Sequence, residues 1–187
     1  MQPMWLAVIL LLGLSGCASP SAVQQPSQSS VIRNFQYVAP GICRGAQPDE
    51  EGLRALKAMG IKTIVSLRVP PRLIAQEAKQ AEALGLDFVS LPLSNYDEPS
   101  DTEVKTFLAV VTDPRRQPVF VHCRQGQLRT GALMASYRVL EEGWSAEQAY
   151  TEAKALGFDD QYPWYRPLKR FIKDLDRVQV ASEPSPQ

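Results

Sequence analysis

Short β-branched apolar runs alternate along the chain with longer segments whose apolar residues recur every three or four positions. The runs at 61–67, 86–93 and 118–122 have the length and composition of buried strands. One helical segment begins at 145, and the others span about 48–60, 73–84, 100–111, 132–143 and 167–178. This alternation predicts an α/β fold with a mostly parallel central sheet flanked by helices.

Two tetrapeptides predict helix starts by their own chemistry. In Ser100-x-x-Glu103 and Ser145-x-x-Gln148, the serine hydroxyl can accept a hydrogen bond from the backbone of the fourth residue. The fourth side chain can accept one from the serine N–H in return. Both segments therefore predict the N-terminus of a helix.

The three predicted strands end at the same edge of the sheet, which is where parallel sheets bind ligands. Arg68 follows the first strand, the loop at 94–99 follows the second, and Cys123 follows the third. We therefore expect these groups to surround one site. Arg115 and Arg116 precede the third strand, so they belong to the opposite end of the sheet and are not expected in the site.

Residues 121–131 join the third strand to a helix and place five residues between a cysteine and an arginine. Backbone N–H groups in such a loop, together with the positive end of the helix dipole, converge on one point and form an anion site. Cys123 is expected to be a thiolate there, and Arg129 can hold two phosphate oxygens. The residues expected to bind phosphate are Arg124, Gln125, Gly126, Gln127, Leu128 and Arg129.

Three residues of this segment have separate expected roles. Gly126 allows the loop to bend so that its amides face inward, where a side chain would obstruct them. Thr130 is placed to donate a hydrogen bond to the sulfur and to ease its departure from a phosphocysteine. His122 is expected to hold the loop through its ring nitrogens rather than to act as a base.

The motif His122-Cys123-x-x-Gly126-x-x-Arg129-Thr130-Gly131 resembles the signature of the cysteine-based protein phosphatases. The segments at 41–48, 67–68 and 91–93 resemble the compact atypical dual-specificity and tyrosine phosphatases of bacteria, fungi and plants. The resemblance implies a phosphate-monoester hydrolase that works through a phosphocysteine intermediate and needs no cofactor.

The resemblance also implies a general acid, which in this family is an aspartate on a loop before the cysteine. Asp97 fits that place because it lies just ahead of a helix, although it is closer to the cysteine than is usual. Glu98 and Asp101 are the alternatives. Arg68, from its strand end, and Arg44, from the resemblance, are possible residues of the substrate rim.

Two other functions remain open from the sequence. Residues 123–126 are similar to the loop of rhodanese-like sulfurtransferases, and an arsenate reductase would use a cradle of related size. The five-residue spacing favours phosphate or arsenate over sulfur. The second alternative is a catalytically weak module that binds phosphorylated ligands.

The substrate is open within the phosphorylated class. Phosphotyrosine, phosphoserine or phosphothreonine, an inositol phosphate and a phosphoinositide are all compatible with the loop. Gln125 and Gln127 stand where the phosphoinositide-cleaving relatives often have lysines, which disfavours a highly phosphorylated substrate. Tyr162, Trp164 and Tyr165 either flank the pocket or cover the core.

Composition limits the partners and cofactors. Twenty Lys plus Arg balance twenty Asp plus Glu, so no net charge favours nucleic acid. His122 is the one histidine, and Cys17, Cys43 and Cys123 lack metal-ligand spacing, so no metal is expected. Cys43 is expected to be a buried apolar side chain, with a disulfide to Cys123 as the alternative.

The N-terminus resembles the signal of a bacterial lipoprotein, with an uncleaved anchor or a wrongly assigned start as the alternatives. An apolar run at 4–14 is shorter than a membrane span, and Leu14-Ser15-Gly16-Cys17 is similar to a lipobox. The resemblance implies a signal peptide at 1–16, a lipidated Cys17 with a tether to 34, a domain at 35–180 and a disordered tail at 181–187. Since Ala18 follows the cysteine, it implies an exported protein in the outer membrane of a Gram-negative bacterium, facing the periplasm.

Overall fold

The computed structural model of the protein describes residues 31–182, with side chains as far as residue 176. The strands of this part are β1 (Gln36–Ala39), β2 (Ile42–Ala46), β3 (Thr63–Ser66), β4 (Asp87–Ser90) and β5 (Val119–Cys123). The helices are α1 (Glu50–Ala58), α2 (Pro71–Ala83), α3 (Asp101–Val111), α4 (Leu128–Leu140), α5 (Ala146–Ala155) and α6 (Arg166–Ser182).

The strands form one sheet in the order β1-β2-β5-β3-β4. β1 pairs with β2 in antiparallel orientation, and the other three pairs are parallel. The predicted α/β fold with a mostly parallel sheet is confirmed. β5 lies at the centre, so the loop that follows it opens beside both β2 and β3.

The sequence pattern predicts three of these strands and misses β1 and β2. All of β2 is buried, so the alternation that marks a half-exposed strand is absent from it. β1 is a four-residue edge strand with no fully buried position. Gly41, with a φ of +78°, allows the tight turn between them.

The predicted capping boxes begin two of the helices. The Ser100 hydroxyl accepts a hydrogen bond from the Glu103 N–H, and Glu103 Oε2 accepts one from Ser100 N at 2.7 Å. Ser145 and Gln148 make the same pair of bonds at the start of α5. These helix starts are therefore decided by local sequence.

α4 begins four residues earlier than predicted, at Leu128 rather than at 132. The apolar run that indicated the helix starts only at Ala132, but the turn before it is helical as well. Arg129 and Thr130 therefore lie in the first turn of α4. Because helical Cα–Cβ bonds tilt toward the N-terminus, their side chains lean back toward the loop.

Different helices cover the two faces of the sheet. One face packs against α3 and α4 and includes Val121 and Cys123. The other face packs against α1 and α2 and includes Cys43 and Phe120. A third cluster joins α4 to α5 and α6. The strand and the helix that flank the loop are thus held by packing on several sides.

Candidate active site

The loop at residues 124–127 connects the end of β5 to the start of α4 at the C-terminal edge of the sheet. Cys123 is the last residue of β5 and stands in register with Ala46 of β2. Arg129 and Thr130 approach the same place from the first turn of α4. The fold therefore brings the predicted thiol, guanidinium and hydroxyl together around one loop.

Three consecutive carbonyl groups of the loop accept hydrogen bonds from the segment around β2. These bonds are Gln47 N to Arg124 O at 3.4 Å, Asn34 Nδ2 to Gln125 O at 2.9 Å and Arg44 Nη2 to Gly126 O at 2.6 Å. In a trans peptide the C=O and the following N–H point in opposite directions. The N–H groups of residues 125–127 therefore face away from β2, and that of Gln125 bonds the Cys123 sulfur.

Arg44 belongs to this support, so the prediction that it lines the substrate rim is wrong. Its side chain is 1 % exposed and touches the loop at the Gly126 carbonyl. Burial lowers the pKa of its guanidinium to about 10, which leaves it charged at neutral pH. The segment at 41–48, noted for its resemblance to phosphatases, thus acts by holding the loop.

Gly126 is required by the close contact between the loop and β2 as well as by its backbone angle. Its φ is +71°, in the left-handed region that favours glycine. A Cβ at this position would lie 2.3 Å from both the carbonyl carbon and the carbonyl oxygen of Gly45. Any side chain would therefore push the loop off the strand that supports it.

The environment of Cys123 favours the thiolate. Burial by itself raises the pKa of this thiol, which is 2 % exposed. Hydrogen bonds from the Thr130 hydroxyl and N–H, the charge of Arg129 and the Gln125 N–H outweigh burial and lower the pKa below its ordinary value. The Thr130 hydroxyl is buried without an oxygen or nitrogen partner among the described residues, so it is available to donate to this sulfur.

We expect Thr130→Val to raise the pKa of Cys123, because valine keeps the branched shape but cannot donate to the sulfur. The measurement is the pH dependence of alkylation by iodoacetamide, followed on the Cys123 peptide by mass spectrometry. In the wild type the midpoint should fall below 9.0, the ordinary thiol value. Ser136→Ala is the control, since it removes a buried hydroxyl of the same helix that donates to Leu133 O at 2.7 Å. An equal shift in both variants would contradict the role of Thr130.

A cavity of about 550 Å³ opens over the loop, where β3, β4 and β5 end. Its lining consists of Arg68, Val69, Pro70, Pro92, Ser94, Asn95, Tyr96, Glu103, Arg124 and Arg129. Residues that follow each of the three strands are present in this set. The predicted convergence of the strand ends on one site is therefore confirmed.

Arginines give this cavity the character of an anion site. Arg129 is 7 % exposed, and its Nη1 donates to Leu67 O at 3.0 Å, which orients the guanidinium. Arg68 is 8 % exposed, and its Nε has no partner among the residues that the structure describes. Burial and the nearby charge of Arg129 lower the pKa of Arg68. Two buried cations at close range are costly alone, so the arrangement favours a bound anion.

The predicted general acid does not contribute to the cavity wall. Asp97 is exposed and directly follows Tyr96, which does line the cavity. Glu98 forms an ion pair with Arg170 of α6. Asp101 is exposed in the first turn of α3, where the helix dipole accounts for an acidic residue.

Glu77 is a buried residue of this region that the sequence pattern did not single out. It lies on α2 and is 3 % exposed, and its Oε1 is 2.8 Å from Nε2 of the fully buried His122. Its Oε2 accepts from Gln47 Nε2 at 3.1 Å and from Ser66 Oγ at 3.3 Å. His122 Nδ1 lies 3.2 Å from Cys123 O. The histidine thus links α2 to the loop, in keeping with its expected structural role.

Cys43 cannot form a disulfide with Cys123 in this fold. Cys43 is in register with Phe120, three residues before Cys123 on β5. Side chains alternate between the faces of a strand, so the two cysteines lie on opposite faces as well as about 10 Å apart along the strands. A disulfide needs Cα atoms within about 7 Å. Cys43 is instead a buried side chain whose pKa is raised by burial to about 11.

Arg115 and Arg116 lie at the opposite end of the sheet, as predicted. The Arg116 carbonyl accepts a hydrogen bond from the hydroxyl of Thr63, the first residue of β3, at 2.8 Å. Both arginines also form ion pairs with Asp113. They therefore belong to the loop before β5 and not to the cavity.

Comparison with a family model matches residues 21–163 to the family described as DSP-PTPase phosphatase fused to NAD+ kinase. The chain is 29 % identical over 183 residues to the dual specificity protein phosphatase TpbA of Pseudomonas aeruginosa strain UCBPP-PA14, covering 94 % of this chain and 80 % of that protein. It is 28 % identical over 141 residues to the inositol diphosphatase DSP2 of Oryza sativa subsp. japonica, covering 69 % of this chain and 67 % of that protein.

The fold is also similar to a solved structure of one of these relatives. The crystal structure of a cysteine-to-serine variant of P. aeruginosa TpbA, in complex with pTyr, superposes with a TM-score of 0.67 at 26 % identity. The match covers 84 % of this chain and 93 % of that chain. The sequence and structural comparisons therefore agree.

Proposed function

This chain belongs to the DSP-PTPase family of phosphatases, and from that premise we propose how its own residues divide the work of hydrolysis and which substrate they take. The family and the fold make it a cysteine-dependent phosphatase that hydrolyses phosphate monoesters. They also decide against the sulfurtransferase and arsenate reductase alternatives. The roles of single residues, the substrate and the location are inferred from the chemistry of this chain.

Cys123 is the proposed nucleophile. Its sulfur bonds to phosphorus as the ester P–O bond breaks, and the leaving oxygen takes a proton from the general acid. Water then attacks the phosphocysteine and gives a proton to the same carboxylate, the P–S bond breaks, and inorganic phosphate leaves. The observation that carries this assignment is the position of the Cys123 sulfur, which lies among inward-directed loop amides, Thr130 and Arg129, groups that lower the pKa of its thiol.

Arg129 and the loop amides are proposed to hold the equatorial oxygens of the phosphoryl group. The Leu67 carbonyl positions the guanidinium, and the bonds from the β2 segment orient the amides before substrate arrives. Donors fixed in this way stabilise developing charge without having to reorganise during the reaction. The catalytically weak binding module is disfavoured because Cys123 and Arg129 both stand at the loop.

Asp97 is the proposed general acid, because the other acidic residues near it already make hydrogen bonds or ion pairs, or stabilise a helix start. Glu98 is paired with Arg170, and Glu103 accepts two hydrogen bonds from Ser100 in the capping box. Asp101 is placed to stabilise the start of α3. Asp97, next to the cavity-lining Tyr96, has no hydrogen-bond or ion-pair partner among the described residues, so it is available to a bound substrate.

We expect Asp97→Asn to reduce kcat by about 100-fold on phenyl phosphate, whose leaving group needs a proton, and much less on p-nitrophenyl phosphate. The measurement compares kcat on the two substrates at one pH, and only the rate on phenyl phosphate should fall strongly in this variant. Asp101→Asn is the control and should keep the wild-type rate on phenyl phosphate. The opposite pattern in the two variants would assign the proton to Asp101.

A single phosphate monoester on a protein is the proposed substrate. One relative was solved with pTyr and others are named inositol diphosphatases. In this chain the cationic lining of the cavity consists of Arg68, Arg124 and Arg129, which suits one phosphoryl group better than several. Phosphotyrosine peptides should therefore be hydrolysed faster than inositol polyphosphates when both are compared with the purified protein.

The protein is further proposed to be exported and anchored by a lipid on Cys17, in the outer membrane and facing the periplasm of a Gram-negative bacterium. Cys17, the predicted signal at 1–16, residues 17–30 of the predicted tether at 17–34 and residues 183–187 of the predicted tail at 181–187 lie outside the described residues. The support is the sequence alone, with its apolar run and Leu14-Ser15-Gly16-Cys17. Within the described part, no helix is both long and apolar enough to span a membrane.

We expect the full-length protein, expressed in a Gram-negative host, to incorporate an alkyne-tagged fatty acid at Cys17. Cys17→Ser should lose the label because the acceptor thiol is gone, whereas Cys43→Ala should keep it. Density-gradient separation of the two membranes then locates the labelled protein. Label that persists in Cys17→Ser, or protein confined to the inner membrane, would contradict the proposal.

A further inference from the structure

Four aromatic side chains form a continuous surface beside the cavity. We call Tyr96, Tyr162, Trp164 and Tyr165 the aromatic surface. Tyr96 stacks on Tyr165 with ring centroids 6.5 Å apart, and Tyr165 meets Trp164 at 6.1 Å and Tyr162 at 6.0 Å. Tyr162 and Trp164 stack at 4.9 Å.

Most of this surface is exposed to solvent, although burying aromatic rings would stabilise the fold. Tyr96 is 62 % exposed, Tyr162 48 % and Trp164 52 %. Val69, another exposed apolar residue, lines the cavity with Tyr96. Clustered exposed aromatic groups, unlike scattered ones, are typical of binding surfaces. The sequence left open whether these aromatics flank the pocket or cover the core, and their exposure favours the first.

The aromatic surface is held in a fixed shape before any ligand binds. The Tyr165 N–H donates to Tyr162 O at 3.0 Å, closing a single helical turn that Pro163 begins. Tyr96 N donates to Ser94 Oγ at 3.0 Å. The loop that carries Tyr96 is also tied to α6 by the ion pair of Glu98 with Arg170. Such preorganisation reduces the entropy lost on binding.

The aromatic surface continues the wall of the cavity, and this indicates which ligand binds there. Tyr96 is in the wall that contains Arg124 and Arg129, so the part of a substrate next to a phosphoryl group in the loop would lie against the aromatic surface. The two ring-to-ring steps from Tyr96 through Tyr165 to Trp164 are 6.5 and 6.1 Å long, so together they extend over at most about three or four residues of extended chain at ~3.3 Å each. A flanking peptide segment has that length.

The charges and apolar groups around the aromatic surface favour a peptide over the other phosphorylated ligands. An inositol polyphosphate carries charge around its whole ring and needs cations beyond the first phosphate. Of the first three cations of α6, Lys169 and Arg170 are already paired with Asp160 and Glu98, and the exposed Arg166 supplies one charge for a ring that carries several phosphates. Exposed aromatic rings instead suit apolar side chains, which a peptide can supply.

We propose that the aromatic surface binds the residues that flank a phosphorylated side chain and selects peptides with an aromatic or large aliphatic residue within about three positions of it. This inference rests on the proposed phosphatase function and adds the preferred substrate to it. Tyr162 and Trp164 make the distal part of the subsite and touch no reacting atom. They therefore determine specificity and not the rate of the chemistry.

The test uses the full chain and three substrates: p-nitrophenyl phosphate, a phosphotyrosine peptide with flanking Leu and Trp, and the same peptide with Ser at those positions. Wild type should prefer the apolar peptide in kcat/KM by about tenfold. The double variant Tyr162→Ala/Trp164→Ala should lose this preference while its turnover of p-nitrophenyl phosphate stays unchanged. Tyr37→Ala, which removes a 71 % exposed tyrosine from β1, is the control and should keep the preference.

Three outcomes would overturn the inference. They are the absence of any preference in wild type, a preference retained by the double variant, and a parallel fall in p-nitrophenyl phosphate turnover, which would indicate a structural role. A fourth measurement tests a membrane contact: loss of binding to phosphatidylglycerol vesicles in the double variant, with the peptide preference intact, would reassign the surface. Failure of wild type to hydrolyse p-nitrophenyl phosphate through Cys123 would instead overturn the proposed function itself.

Discussion

Cys123→Ser is expected to lose at least about 1,000-fold in turnover while it still binds inorganic phosphate. A serine hydroxyl in this site has no neighbouring base, whereas the groups around Cys123 stabilise a thiolate. Arg129 and the loop amides are unchanged by the substitution, so the anion site persists. Since the phosphate no longer meets a negatively charged sulfur, its affinity should be equal to or higher than in the wild type.

The measurement pairs kcat on p-nitrophenyl phosphate with calorimetric titration of phosphate. Cys43→Ala is the control, because it removes the buried thiol on the other face of the sheet and should leave both quantities close to wild type. Turnover retained in Cys123→Ser would contradict the covalent mechanism. If Cys123→Ser lost phosphate binding as well as turnover, the loop would have collapsed. That result would contradict the prediction that the anion site persists in this variant.

Gly126→Ala is the second substitution with a large expected effect. The alanine Cβ would lie 2.3 Å from the Gly45 carbonyl, so the loop has to move by about 1 Å to reach an ordinary contact. A displacement of this size in a catalytic group costs about 100-fold in rate. We therefore expect kcat to fall by about that factor, with a lower thermal midpoint.

Gly143→Ala is a matched control for this prediction. Its φ is +70°, against +71° at Gly126, but nothing lies within 4 Å of where its Cβ would be. Both variants therefore suffer the same left-handed strain, about 1 kcal/mol, and only Gly126→Ala adds the collision. Gly143→Ala should lose a little stability and no activity. An equal loss of activity in the two variants would show that the contact with Gly45 is unimportant.

The contact between Gly126 and Gly45 shows that the catalytic loop depends on β2 as much as on its own sequence. Bonds from Asn34, Arg44 and Gln47 add to it and orient the loop peptides. The segment is more than seventy residues away in the chain. A variant of Arg44 can therefore affect catalysis without any contact between that side chain and substrate.

The location of the site was predictable because the signals that indicate it are local. Spacing between Cys123 and Arg129 is encoded in one loop, and the capping boxes at Ser100 and Ser145 are contained in four residues each. The convergence of Arg68 and Cys123 followed from the rule that parallel strands end at one edge. These features need only short-range geometry and a strand direction.

The errors concern residues whose place depends on strand register and burial. The resemblance places Arg44 at the rim, but the pairing of β2 with β5 puts its side chain behind the loop. The same pairing puts Cys43 on the face opposite Cys123 and excludes their disulfide. The burial of Glu77 could not be predicted from the sequence, because an acidic residue in a helix is usually exposed. It is buried here because it packs against His122.

The sequence by itself determined the fold class, the phosphate loop and the identity of its cysteine and arginine, since each depends on residues close together in the chain. Only the tertiary structure decided what supports the loop, which face each cysteine occupies and that Tyr96 joins the Tyr162–Tyr165 turn into one surface. These are contacts between distant segments. They depend on which strands pair and how helices pack, and hydrophobic periodicity carries no information about either.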